Sequence, residues 1–146
     1  MKLSEIQDEW DKDSKIDQLD LNGESIKISR LHSKYLRILT DSKLQLRKAE
    51  SDYLRLARLK AKYYKGEMSK EELDELSWTQ YLGPKLLKAD VNSMIETDDD
   101  IIRILDKIEY LKTVVYQVEQ IIKSLASRSF DIKNAITWMQ YTQGSA

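Results

Sequence analysis

The chain has no cysteine among its 146 residues, one proline, four glycines and one histidine. Without thiols there is no disulfide, no thiolate metal site and no cysteine nucleophile. So few chain breakers beside so many charges disfavour sheet and favour long amphipathic helices. No apolar run reaches transmembrane length, and the opening "MKLSEIQDEWDKD" turns acidic at once, unlike a signal peptide. A cytoplasmic protein with no membrane contact is expected. There is no glycine-rich phosphate loop, so Walker-type nucleotide hydrolysis is excluded. His32 has no carboxylate four residues away on either side, and the acids gather at helix starts and on acidic faces. No acid–base pair stands apart for catalysis. An enzyme is not expected, nor a cofactor or a bound metal.

Charge is what the chain has in abundance. Hydrophobic residues make up 41% and charged residues 34%, enough for one helical domain with a modest core. The formal net charge of −1 hides strong segregation. Residues 1–24 carry three basic and eight acidic side chains, residues 25–65 twelve and three, and residues 66–146 nine and fourteen. A near-neutral total therefore says nothing against a local site for a polyanion.

Ser4 and Gln7 form a capping box for a short helix with Ile6 and Trp10 on its apolar side. Asn22-Gly23 predicts a turn and Ser25 an N-cap, from which helical periodicity continues to Tyr64, with Gly66 as the stop. About 40 residues of helix span roughly 60 Å, a length that calls for other long helices to pack against. Ser69 and Glu72 start a short acidic helix toward Trp78 and Tyr81, and Gly83-Pro84 breaks the chain. After a connector, Thr97 is the expected cap of a helix opening on Asp98-Asp99-Asp100, three acids that suit a helix N-terminus better than a metal.

Ile101, Ile104, Ile108, Leu111, Val115, Val118, Ile122 and Leu125 alternate spacings of three and four, a heptad seam. Ile102, Leu105, Val114 and Ile121 widen it. "ASRS" at 126–129 interrupts the pattern, so a separate short helix is predicted from Ser129 or Phe130. Ile132, Ala135, Ile136 and Met139 lie along one side of it, with Trp138 and Tyr141 nearby. That side suits self-association or a fold back onto the bundle. The predicted class is all-α, with long helices packed as a bundle or coiled coil. It forms a single domain over 1–146: a body over 1–129, and a C-terminal oligomerisation helix and tail over 130–146.

The acid-free run "RLARLKAKYYK" holds Arg55, Arg58, Lys60, Lys62 and Lys65. On a helical wheel Arg30, Arg37, Arg47, Lys48, Arg55, Arg58, Lys62 and Lys65 share one arc of about 100°, opposite an apolar side that includes Tyr35, Tyr53, Tyr63 and Tyr64. Like-charge neighbours such as Arg55 and Arg58, or Arg58 and Lys62, oppose helix stability. Either acidic segments of the same chain or an external polyanion must offset them. Lys60 falls at the centre of the apolar side, where an unpaired ammonium is too costly; it is expected to snorkel or to line a solvent-filled interface. Tyrosines interleaved with cations suit single-stranded nucleic acid, whose bases stack on rings while its phosphates meet positive charge. The tyrosines also suit a core, the reading preferred for Tyr53. Candidate nucleic-acid contacts are Arg47, Lys48, Arg55, Arg58, Lys60, Lys62, Tyr63, Tyr64 and Lys65.

"LRLARLKAKYYKG" resembles the Leu-Lys-Ala-Arg-Leu-x-Tyr-Tyr-x-Gly segment of the UvsY family, recombination mediators of T4-like phages. "IIKSLASRSFDIKNAITWMQ" is similar to that family's Lys-Ser-Arg-Gly-Phe-x-Ile-Lys end, and the length and opening "KLSEIQDEW" also fit. The resemblance implies an all-helical, non-enzymatic protein. It would form a ring-like homo-oligomer, a hexamer or heptamer, through its C-terminal helices, here Phe130, Ile132, Ala135, Ile136 and Met139. The implied partners are single-stranded DNA, the single-strand-binding protein it displaces or remodels, and a RecA-like recombinase that it helps to load. The family's DNA-contacting basic pair falls on Arg58 and Lys60. This chain exchanges the order of Lys and Arg, and places Lys62 where the family segment is acidic. It also has Arg128-Ser129-Phe130 in place of Arg-Gly-Phe. Together these departures redistribute the expected contacts toward Lys62 and Lys65. A second reading is a coiled-coil scaffold that binds only protein, its basic stripe paired with the acidic segments 1–24 and 67–75.

Overall fold

The computed structural model describes residues 1–144 and contains five helices and no strand among them. They are α1 (Leu3–Asp13), α2 (Leu21–Tyr64), α3 (Lys70–Leu76), α4 (Lys88–Glu96) and α5 (Asp99–Thr142). Helices α2 and α5 are 44 residues long each. The all-α class and the long helices are as expected. The last two residues of the expected 130–146 segment lie outside the described residues.

The chain divides into two compact units, one made of residues 1–44 with the chain from Lys112 onward, the other of Gln45–Leu111. In the first, α1 lies against parts of α2 and α5 around Ile6, Leu31, Tyr35, Val114, Val118, Ile121 and Leu125. In the second, Ala49, Ile108 and Leu111 form a smaller cluster, with Leu46 and Tyr53 packed against it. Tyr53 is therefore core, as preferred.

Helix starts differ from the expected ones, each because a nearby carboxylate reaches the free amides first. The Glu5 carboxylate accepts from the Lys2 amide at 2.7 Å, so α1 begins at Leu3 instead of after Ser4. Asp20 accepts from the Gly23 amide at 3.1 Å, so α2 begins at Leu21 and the expected Asn22-Gly23 turn is its first turn. Thr97 ends α4, a helix the weak pattern of the connector did not announce, and Asp98 takes over the cap of α5. Ser69 caps α3 as expected, accepting from the Glu72 amide at 3.2 Å.

The separate C-terminal helix is corrected outright: α5 runs unbroken through "ASRS" to Thr142. The buried seam of its second half is Val114, Val118, Ile121, Leu125, Arg128 and Ile132, while Val115 and Ile122 are half-buried. Ala126, Ser127 and Ser129 face solvent, and Arg128 is the seam residue of that stretch. Its guanidinium donates to the Asp13 carbonyl at 3.1 Å and the Ser14 carbonyl at 2.8 Å, and lies 5.5 Å from the Trp10 ring centre. A cation at the C-terminal carbonyls of α1 satisfies both the orphaned acceptors and the helix dipole. Asp13 completes the junction, accepting from Lys34 at 2.6 Å and from the Tyr35 hydroxyl at 2.7 Å. Burial pushes its carboxyl up, but those two hydrogen bonds outweigh burial and hold it below the ordinary aspartate value.

Leu125 is fully buried, whereas Tyr116 on the same helix is 58% exposed. Leu125→Ala is expected to cost about 2–5 kcal/mol, and Tyr116→Ala less than about 0.5 kcal/mol. Urea unfolding followed by circular dichroism measures both; equal costs would contradict this placement of the seam.

Candidate nucleic-acid interface

The cations of interest lie within the second unit, where α2 ends. Gly66 adopts a left-handed backbone, φ +71°. That lets the Glu67 amide reach back to the Lys62 carbonyl at 3.1 Å and the Gly66 amide to the Tyr63 carbonyl at 3.0 Å. The chain then turns into α3, which closes in the same way. Ser77 is left-handed, and the Trp78 amide donates to the Leu73 carbonyl at 2.9 Å. Two turns of one kind thus return Trp78 to the end of α2. Its ring meets Tyr63 edge-on at 5.5 Å, and Tyr63 meets Tyr64 at 5.1 Å. Tyr81 approaches both tyrosines, and the Tyr63 hydroxyl donates to the Thr79 carbonyl at 2.6 Å.

Lys60 enters this cluster from beneath. It is 6% exposed, its ammonium 2.8 Å from Asp100, 3.2 Å from Asp98 and 4.1 Å from the Trp78 ring centre. Asp98 also accepts from the Tyr64 hydroxyl at 2.6 Å and from the amides of Asp100 and Ile101 at 2.9 and 3.2 Å. Of the acids at 98–100, Asp98 is a capping group, as expected, and Asp98 and Asp100 are counter-ions for Lys60. Burial raises the Asp98 carboxyl, but the Tyr64 and Lys60 hydrogen bonds prevail and hold it below the ordinary aspartate value. Burial and the Asp98 hydrogen bond together push the Tyr64 phenol up, so it stays protonated as a donor. Neither snorkelling nor a solvent-filled interface describes Lys60; acids of the same unit neutralise it.

The remaining candidates divide by partner. Lys62 is half-buried and bridges to Glu72 of α3 at 2.7 Å, and that hydrogen bond lowers the Glu72 carboxyl. Arg55 is exposed and pairs with Asp52 at 3.3 Å. Arg47, Lys48, Arg58 and Lys65 are exposed and make no ion pair among the described residues. Tyr63 and Tyr64 are half-buried and tied by their hydroxyls. Sequence reasoning missed Trp78, Asp98 and Asp100 as neighbours of Lys60. The signal available was a lysine on an apolar face, which calls for a carboxylate without saying which.

The proposed self-association residues lie in the first unit. Ile132 is buried at 3% and Ala135 half-buried, whereas Ile136, Met139 and Phe130 are exposed at 39%, 41% and 69%. Ile132, Ala135, Met139 and Trp138 line a groove of about 350 Å³ with Ile16 and Leu21; Phe130 is not part of it. In this segment Ile132 folds back onto the first unit, while Ile136, Met139 and Phe130 face out.

These features define a class: an all-helical protein with unpaired cations spread along the second half of α2 and just past its end and, among the described residues, no cluster of acids or histidines able to hold a metal and no helix long and apolar enough to cross a membrane. A family model described as "Recombination, repair and ssDNA binding protein UvsY" matches residues 9–145. This chain belongs to the UvsY family. Crystal structures of the bacteriophage T4 recombination mediator protein UvsY share the fold at 20% sequence identity. One lattice form covers 99% of each chain at a TM-score of 0.84, a second 97% of this chain and 99% of the other at 0.83, and a third 96% and 99% at 0.81. No curated protein sequence is a significant match.

Asp98→Asn removes one charge from a buried pair and is expected to cost about 2–4 kcal/mol at pH 7. The folded-state pKa of Asp98 is depressed, so its contribution is present above the unfolded value, near 4, and is lost as pH falls through the lower folded value. Thermal unfolding of both proteins between neutral pH and about pH 2 should show the gap closing only below about pH 4. A gap that persists at the acid end would refute the pairing.

Proposed function

We propose that this chain is a recombination mediator that binds single-stranded DNA on the exposed cations of α2 and the turn that follows it. It assembles into a ring-like homo-oligomer, a hexamer or heptamer. It helps to load a RecA-like recombinase onto strands covered by single-strand-binding protein, in the cytoplasm of the host cell. Family membership supports the reading, and one observation carries it to a surface: Arg47, Lys48, Arg58 and Lys65 are exposed cations left without acids. The mechanism is electrostatic and geometric, with no chemistry of the protein's own. Each phosphate neutralised on a single strand releases about 0.7 of a counterion, and repetition around an oligomer turns weak contacts into avidity. Exposed Trp138, Met139 and Ile136 beside the 350 Å³ groove support self-association of the chain's last turns.

The scaffold reading draws on two pairings, Lys34 with Glu9 and Asp13 in the first unit and Lys62 with Glu72 in the second. They consume acids of both expected segments, yet leave the four cations above unpaired. The two readings part on Arg58→Glu combined with Lys65→Glu. A strand binder keeps its sedimentation coefficient and loses about tenfold or more in affinity for labelled oligothymidylate; a scaffold loses assembly. Absence of salt-sensitive strand binding by the wild-type protein at low ionic strength would end the strand-binding reading. In sedimentation velocity the wild-type protein is expected to be oligomeric and Trp138→Glu to shift it toward monomer; a monomeric wild type would overturn the ring.

A further inference from the structure

Of the five cations between Arg55 and Lys65, Lys60 alone is buried. We propose that Lys60 is a positioning residue for strand binding and does not itself touch the strand, an assignment that rests on the strand-binding reading. An ammonium has three donor positions, and here two carboxylates and the face of Trp78 surround it at 2.8, 3.2 and 4.1 Å. A phosphate reaching Lys60 would have to enter a space already holding two negative charges and displace both. Arg58 on α2 and Lys65 just past its end are exposed and make no ion pair among the described residues.

Lys60 acts on the strand through what it neutralises. Asp98 holds the first amides of α5 and the Tyr64 hydroxyl, and Trp78 packs on Tyr63. Without the ammonium, Asp98 would lose its cation and Asp100 would keep only the exposed Arg103 at 3.2 Å, at the end of the helix that carries Arg58 and leads into Lys65. Their field would then repel the phosphates those two attract. The basic pair at 58 and 60 thus divides its labour: residue 58 meets the strand, and residue 60 cancels acids that would oppose it.

Lysine acetylation read by mass spectrometry, on the wild-type protein with and without oligothymidylate, tests this directly. Lys65 is expected to react fast and to be protected by the strand, Lys60 to react slowly in both states. Fast labelling of Lys60 that the strand suppresses would overturn the assignment. In salt titrations well below the melting temperature, Arg58→Gln should lower the slope of log K against log salt by about 0.7 for each phosphate that Arg58 neutralises. Lys60→Met should weaken binding about three- to tenfold at unchanged slope. A slope reduced as in Arg58→Gln would mean that Lys60 meets phosphate directly, and unchanged affinity and slope together would make it irrelevant to binding; either result overturns the proposal. If Lys60→Met does not fold, the labelling decides alone. If the wild-type protein binds no oligothymidylate, the strand-binding reading fails first and takes this one with it.

Discussion

An ammonium taken out of water has to be neutralised where it sits, and the second unit is organised around that requirement at Lys60. The lysine stands on the apolar side of α2 because helical geometry puts it there, between positions that pack. Asp98 and Asp100 answer it from the start of α5, and Asp98 holds that start in place by capping it. The left-handed turns at Gly66 and Ser77 bring Trp78 back over the ammonium, and Tyr63 packs against the indole. One buried charge thus ties together the end of one long helix, the start of the other and the chain between them.

The first unit solves a related problem with a different cation. Arg128 occupies a seam position where a leucine would suffice for burial, but its guanidinium satisfies two carbonyls at the end of α1. That is why a polar tetrapeptide does not break α5. Three of its residues face water, and the fourth is needed inside. Beyond it Ile132 is the only buried residue among those described, so the last turns keep Trp138, Met139 and Tyr141 on the outside.

The proposed function rests on which charges are already spoken for. Cations with an acid at hydrogen-bond distance, such as Lys34, Lys60 and Lys62, hold helices together. Cations without one, such as Arg58 and Lys65, keep their full attraction for phosphate. Two basic residues two positions apart in a sequence motif thus differ in kind, one buried against two carboxylates and the other exposed and unpaired.

Composition and periodicity sufficed for the all-α class, for α2 and α5 as long helices, for the Ser69 cap, and for the asymmetric wheel that singled out Lys60. Those are local quantities, governed by spacing along one helix. The similarity of "LRLARLKAKYYKG" and of the C-terminal segment pointed to the family, since short motifs survive in sequence. Tertiary structure alone decided that Lys60 is paired, that Lys62 meets Glu72, that Arg128 belongs to the core, and that α5 continues past Ser129. Each depends on partners from 10 to 115 residues away. A carboxylate or a carbonyl at such a distance leaves no periodic trace in the sequence, because its effect begins only when folding brings the two charges within a few ångströms.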